Sequence, residues 1–575
     1  MNKKLGIMSR RFIVRWVVGL AAVLVPAYGE SHPPHAPAPL SNKTACSAPA
    51  AESGEAARLL TGMGSYRFQI STRVPDAQRF FDQGLVLAWG FNFAEAERSF
   101  RQSSRLDPDC AMCRWGVAYA LGPSINHDID AETAAAAYDA VQEARRLAHT
   151  ADARERALIE ALARRYAPRP RTDGPTLDNA YSRAMGDVAR RFPKDADVLS
   201  LFAEALMNIH GRDYWRKNGA AQVWTPQIIA VLERALKIAP DHPLANHYYV
   251  HVFEDSPHPE RARASADRLR TLAPGVGHLV HMPAHVYLRL GDYGAVAAVN
   301  EAAIAADRAY LETRCADAKY VSGYVAHNYH FLWASSVMAG RSGAALAAAT
   351  ELQRYVESVA QSGPLSGTQQ HFVVLPLFTQ ARFGRWQAVI AAPRPVAATP
   401  YTDGVWHYAR AMAYLRGGDV NQARRELQSL EAALSRATPD AAALKETNPL
   451  SKLLALSARL LKAELAGATG DRAAAIAHAR AAVKLESELA ADEPPAWHAP
   501  ARHTLGALLL EAGRAAAAER VYREDLKIHP ANGWALAGLA ESVALQRRSA
   551  AATAVRSDFT RAWADADVEI HGSRF

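Results

Sequence analysis

The chain is poor in cysteine: its 575 residues include only Cys46, Cys110, Cys113 and Cys315. That number excludes a disulfide-framed miniprotein, and a single C-x-x-C excludes the paired-CxxC class of zinc module. A Walker loop, a GxSxG elbow and a GxGxxG following a strand are all missing, as are the alternating patterns of strands that would carry the last two. Past the N-terminal leader, no segment approaches transmembrane length. The composition, 49% hydrophobic and 22% charged, is that of an ordinary globular chain able to bury a large core.

An excess of positive charge is also mostly missing once the leader is set aside. Residues 1–29 place Lys3, Lys4, Arg10, Arg11 and Arg15 before the apolar run Trp16 to Pro26, with small residues at Ala27 and Gly29. This is the order of a secretory signal peptide, with an apolar run too short to span a bilayer. Cleavage after Gly29 removes five basic and no acidic residues and takes the formal charge from +8 to +3. A nucleic-acid role therefore loses its main support. The phrase Ser9-Arg10-Arg11-Phe12-Ile13-Val14-Arg15 resembles a twin-arginine export signal, which would carry folded cargo to the periplasm. Residues 30–69 begin as a Pro/Ala-rich stretch that cannot bury enough apolar surface to fold, and are expected to form a disordered leader with order starting near Ile70.

What is present is a repeat. With Ala77 as position 1 of a 34-residue unit, Gly84 falls at position 8, Ala96 at 20, Phe100 at 24 and Pro108 at 32. These are the signature sites of the tetratricopeptide repeat. Small residues at 8 and 20 let two antiparallel helices touch, a large residue at 24 fills the gap, and proline stops the second helix. The frame recurs from Ala499, with Gly506, Ala518, Tyr522 and Pro530. Turn glycines at Gly291, Gly340, Gly384, Gly418 and Gly470 mark hairpins in between. The expected fold is all-α, a tetratricopeptide-repeat solenoid over 70–570 with ten to eleven antiparallel helix pairs. Insertions interrupt it near 122–135, 166–178 and 210–225.

Several phrases carry a resemblance: ISTRVPDAQRFFDQGL, DPDCAMCRWG, LGPSIN, HLVHMPAH, AHNYHF and EPPAWHAPARHTLGALLLEAG. They are similar to a bacterial family of exported tetratricopeptide-repeat proteins with CAMCxWG and HMPxH phrases. The resemblance spreads over most of the mature chain and implies an exported repeat protein, without bringing an activity. Where relatives often have Asn-His, this chain has Asn92-Phe93, so that position carries no histidine chemistry here.

Nine of the 21 histidines fall between His242 and His330. Taking Pro243, Gly277 and Ala326 as successive position 1 residues registers them. Position 5 is then His247, His281 and His330; position 9 is His251, His285 and Ala334; position 2 is Leu244, His278 and His327. Positions 2, 5 and 9 share one face of the first helix of a repeat, the face expected to line an open concave groove. Neighbouring first helices stand on the order of 10 Å apart, close enough for imidazoles to converge. The pairs His247/His251 and His281/His285 have the i, i+4 spacing that lets two imidazoles meet one metal ion. Glu254, one turn beyond His251, and Glu204, at position 9 of a unit starting at Ala196, are candidate carboxylate ligands or bases. Imidazole with carboxylate suits zinc, copper, nickel or iron. Set against this, a single buried histidine is ordinarily a hydrogen-bonded packing residue, and repeats can copy a packing solution.

Cys110 and Cys113 open a helix behind Asp109 as expected N-cap, a setting compatible with a structural disulfide, redox activity or metal binding. Arg114 stands where a haem attachment motif needs histidine. Two functions follow. One is an exported scaffold whose concave groove takes a peptide, protein or small ligand. The other is a metalloprotein or metal-dependent enzyme with a histidine site in its central repeats.

Overall fold

Apolar residues recur at helical spacing along nearly the whole chain, and the structure, a computed structural model, turns that spacing into stacked helical hairpins. It describes residues 57–575 apart from 169–173, 314–316, 360–362, 396–397, 439–441 and 446. The expected signal peptide and most of the expected leader lie outside the described residues. Those described belong to one compact unit.

The helices pair in chain order. α1 (Pro75–Trp89) packs on α2 (Phe93–Leu106), α3 (Ala111–Ala120) on α4 (Ala131–Arg146), α5 (Ala153–Leu162) on α6 (Gly174–Arg191), and α7 (Ala196–His210) on α8 (Thr225–Ile238). The central hairpins are α9 (Pro243–Phe253) with α10 (Arg263–Leu272), then α11 (Gly277–His281) and α12 (Pro283–Leu290) against α13 (Tyr293–Thr313). The short α14 (Ala318–Tyr320) leads through a π-helical turn, Val321–Val325, into α15 (Ala326–Met338), which pairs with α16 (Ser342–Val359). There follow α17 (Gly367–Arg382) with α18 (Trp386–Ala391) and α19 (Pro400–Arg416) with α20 (Val420–Arg436). A minimal antiparallel ladder, β1 (Ala443–Leu444) and β2 (Asn448–Pro449), precedes α21 (Leu450–Ala468). The last hairpins are α21 with α22 (Arg472–Ser487), α23 (Ala501–Glu511) with α24 (Ala515–Ile528), and α25 (Gly533–Leu545) with α26 (Ser549–Ala562).

The repeat chemistry read from the sequence is the packing. A Cβ placed on Gly84 would stand 2.7 Å from the Phe100 ring, and one on Gly116 only 2.3 Å from it. Phe100 thus plugs the seam between two successive hairpins. Tyr522 does the same between Gly506 and Gly538, each of whose added Cβ would lie 2.3 Å from its ring. Gly291 (φ 76°) and Gly340 (φ 73°) take the left-handed conformation that ends α12 and follows α15, where a side chain would be strained.

Two expectations are corrected. Residues 57–69 fall within the expected unfolded leader, yet this irregular segment packs on the first and central repeats. The Leu60 amide donates to Gln83 Oε1 (2.7 Å), Phe68 is fully buried, and the Gly275 amide donates to the Gly62 carbonyl (2.8 Å). The Pro/Ala-rich composition ends before this segment, whose Phe68 joins the core with Leu60, Met63 and Tyr66 packed against it, while hydrogen bonds tie its backbone down. The N-cap of α3 is Cys110 rather than Asp109: the Cys113 amide donates to Cys110 Sγ (3.1 Å), and the two cysteines form a disulfide. Cys46 and Cys315 lie outside the described residues.

The solenoid's curvature brings its last repeats back against the central ones. Trp534 Nε1 donates to the Val337 carbonyl (3.0 Å), the Arg382 guanidinium sits 3.6 Å over the Trp534 ring, and Asp567 accepts the Ser342 and Gly343 amides (2.6 and 2.8 Å). Loops from distant repeats thereby close over the central first helices, which positions the site.

Candidate metal centre

Pro243, Gly277 and Ala326, the three position 1 residues of the sequence frame, are the first residues of α9, α11 and α15. Proline at the first position of α9 and of α12 is pre-organised for helix and loses no hydrogen bond there. Met282 and Pro283 break the second of these first helices into α11 and α12, but His281 and His285 remain on one face.

The histidines sort by a simple rule. Positions 5 and 9 of one first helix meet position 2 of the next. His247 and His251 of α9 gather with His278 of α11; His281 and His285 gather with His327 of α15. Within each three, one ligand atom per residue lies within 4.8 Å of the other two. Nε2 of His247 and Nε2 of His278 are 3.2 Å apart, and Nε2 of His281 and Nε2 of His285 are 3.1 Å apart.

The opposite ring nitrogens of His251, His281 and His285 are held by acceptors, whereas Nδ1 of His247 and of His278 is buried with no hydrogen-bond partner among the described residues. His281 Nδ1 donates to Asn300 Oδ1 (2.7 Å), and the Asn300 amide is fixed in that sense because its Nδ2 donates to the Val296 carbonyl (2.8 Å). His285 Nδ1 donates to Glu493 (2.5 Å), with Glu254 Oε2 at 3.4 Å. His251 Nδ1 donates to Glu254 Oε1 (3.1 Å), leaving its buried Nε2 with no hydrogen-bond partner among the described residues. A proton on Nδ1 leaves a lone pair on Nε2. On His281 and His285, two such lone pairs therefore face each other at 3.1 Å.

Electrostatics favour the neutral form of five of the six rings, His251 among them. Burial, together with the neighbouring imidazoles, holds His247, His278 and His281 well below the ordinary histidine range, and burial with Lys445 does so for His327. Burial by itself would raise the Glu254 carboxyl, but Arg212, His251 and His285 overcome it and hold it well below the usual range. The centre thus offers neutral imidazoles beside an ionised carboxylate, the protonation states a metal ion requires.

Aromatic rings close the site. Phe91 stands 4.7 Å from the His278 ring and 4.9 Å from that of His247; Phe331 stands 4.8, 4.7 and 4.7 Å from His281, His285 and His327. Tyr324, carried on the π-helical turn, covers His278 at 4.9 Å. The histidine face was expected to line an open groove. It is instead roofed over: His247 and His281 are 0% exposed, and only His327 of the six is half-buried.

Two other assignments are corrected. Glu204 does not join the histidines; it accepts from Tyr119 (2.7 Å) and Tyr248 (3.1 Å) in a separate buried cluster. His330 stacks on Trp333 and faces His371 at 5.7 Å, outside both triplets, with neither nitrogen hydrogen-bonded among the described residues. The rule explains this: position 9 of α15 is Ala334, so the third rung lacks a ligand. Glu254 stands beside the histidines as the acceptor behind His251, with its other oxygen 3.4 Å from His285 Nδ1.

Reasoning from the sequence missed Phe91, Asn300, Arg212 and Glu493. Arg212 comes from the insertion at 210–225 and pairs with Glu254. Glu493 stands 208 residues from His285 and reaches it only through closure of the solenoid. Phe91 had a faint local signal in the Gly90-Phe91-Asn92 turn, where it takes φ 59°, a costly angle for a bulky residue.

Neither a family model nor a curated protein matches the chain. Among solved structures, the human IFIT1 dimer with m7Gppp-AAAA aligns over 86% of this chain and 91% of its own at 11% identity and a TM-score of 0.28. The APC/C hetero-tetramer Cut9–Hcn1 aligns over 86% and 88% at 13% identity and a TM-score of 0.22. Such scores carry no functional argument, and the site is read on its own geometry.

Proposed function

We propose that this protein is an exported metal-binding solenoid whose central repeats hold a transition-metal ion through imidazoles. One observation carries the reading: His281 and His285, with their Nδ1 protons committed to Asn300 and Glu493, point two Nε2 lone pairs at each other across 3.1 Å. Two lone pairs at that distance repel unless a cation lies between them. Carboxylate or carbonyl acceptors behind ligating histidines are the usual outer support of a metal site, fixing tautomer and orientation. A packing role does not require that arrangement, since a buried nitrogen without a partner costs about 1–3 kcal/mol. Zinc, copper, nickel and iron all suit an imidazole set without thiolate. The leader and the phrases shared with exported repeat proteins support delivery to the periplasm, and a twin-arginine route would suit cargo folded around its metal.

Elemental analysis of the protein purified from its native compartment tests this. Stoichiometric metal is expected, together with a rise in melting temperature on adding zinc or copper that the double variant His251→Ala/His285→Ala no longer shows. Metal-free protein whose melting ignores both ions would sink the reading.

A second reading, a scaffold that binds a small ligand or a peptide, has its own observation. A cavity of about 720 Å³ lies beside the centre, walled by Glu493, Arg289, Trp333, Trp497 and His498 among others. The roofed histidine face leaves this cavity as the better binding surface than the expected groove.

A further inference from the structure

The metal reading above leaves open how many ions the chain holds and whether they are equivalent. We infer that the protein carries two neighbouring metal ions, one in each histidine rung, and that the first is sealed while the second keeps a position open to an external ligand.

Each rung is complete by itself. The two triplets share no residue, and each contributes three donors within 4.8 Å of one another. Metal–imidazole bonds of about 2.0–2.1 Å place donor atoms on one ion at most about 4 Å apart, so each triplet closes on an ion with small side-chain movements. Three protein ligands with a vacant fourth position is the pattern of sites that bind water or substrate. A single shared ion would have to draw donors from both triplets, and among the described residues no three histidines taken from both have their ligand atoms within 4.8 Å of one another.

Negative charge sits where two cations would need it. Glu254 spans the rungs, with Oε1 3.1 Å from His251 Nδ1 and Oε2 3.4 Å from His285 Nδ1. Glu493 adds a second carboxylate behind His285, and the group Glu254, His285 and Glu493 is itself close enough to hold a cation. Both ions are therefore linked through one buried carboxylate.

The surroundings of the two rungs differ. The first, His247, His251 and His278, is 0%, 3% and 3% exposed beneath Phe91. In the second, His327 is half-buried, and Glu493, which holds His285, also forms part of the wall of the 720 Å³ cavity. The three histidines do not themselves line the cavity; Glu493 links it to His285, which gives a small anion or a water-derived ligand an approach to the second ion that the first lacks.

Copper(II) titration of the metal-stripped full chain tests this, read by elemental analysis and electron paramagnetic resonance. Two ions per chain are expected, with spin–spin broadening at full loading that is absent at half loading. His278→Ala and His327→Ala are each expected to retain one ion, with folding checked by circular dichroism. Removal by a chelator should be biphasic, the His327→Ala variant losing the fast phase and His278→Ala the slow one. Azide should perturb the spectrum of the fast-exchanging copper alone. One ion per chain, two ions without spin coupling in the wild-type protein, or a single exchange phase would overturn the two-ion assignment while leaving the metal reading standing. No bound metal at all would overturn both.

Discussion

The Nδ1 partner of each imidazole decides what its Nε2 can do. Asn300 is the clearest case, because its own amide hydrogens are committed to Val296 and only its oxygen is available to His281. Replacing Asn300 by Leu leaves the His281 proton unpaired and frees the ring to flip, so metal affinity is expected to fall about 10–100-fold, as for other outer partners of metal ligands. Competition against a chromophoric chelator measures it. Asp307 supports a second prediction at this scale. It is buried, accepting from Tyr320 and from Asn328 (both 2.8 Å), and burial pushes its carboxyl up to about 7. The unfolded chain ionises there near the ordinary carboxylate value while the folded chain keeps the proton. Its contribution is therefore full below about pH 4 and lost as pH rises to about 7, on the order of 4 kcal/mol. In Asp307→Asn, urea unfolding followed across that window should show a smaller decline than in the wild type.

Within an element, register rather than residue count makes the site. Positions 5 and 9 of one first helix and 2 of the next form a rung, and α15 with α17 would make a third from His330 and His371 were Ala334 a histidine. Both nitrogens of His330 and Nε2 of His371 are buried with no hydrogen-bond partner among the described residues. Ala334→His is expected to add one ion per chain to the number bound by the wild type, read by elemental analysis of metal-loaded protein. The seams between hairpins obey an equally local logic. Gly116→Ala drives a Cβ to 2.3 Å from the Phe100 ring, and overpacking of this kind costs about 1–3 kcal/mol, measurable as a lower urea midpoint. The same elements show where sequence reasoning runs out. Helix starts, turn glycines and the plug at Phe100 follow from spacing along the chain. That α11 ends at His281 and α12 restarts at Pro283 without moving His285 off the shared face does not.

At the scale of the molecule, closure of the solenoid supplies Glu493 behind His285. The loop carrying Glu493 and the hairpin carrying Lys445 are locked together, since Lys445 pairs with Asp492 (2.8 Å), and both come from repeats far along the chain. Trp534 helps anchor the returning repeats through Val337 and Arg382. Its loss in Trp534→Ala is expected to cost about 3–5 kcal/mol and to speed release of the more exposed metal, read by denaturation and chelator kinetics on one preparation.

The sequence by itself determined the helical repeat, because small and large residues at fixed spacing dictate how adjacent helices touch, and it determined the histidine register for the same reason. Only the tertiary structure decided that the histidine face is covered, that His330 and Glu204 stand apart, and that Glu493, Asn300 and Arg212 complete the centre. Those contacts join residues tens to hundreds of positions apart. Asn300 and Arg212 arrive through the packing of neighbouring helices, whereas Glu493 depends on the curvature accumulated over many hairpins, to which each repeat adds a small rotation that no local pattern records.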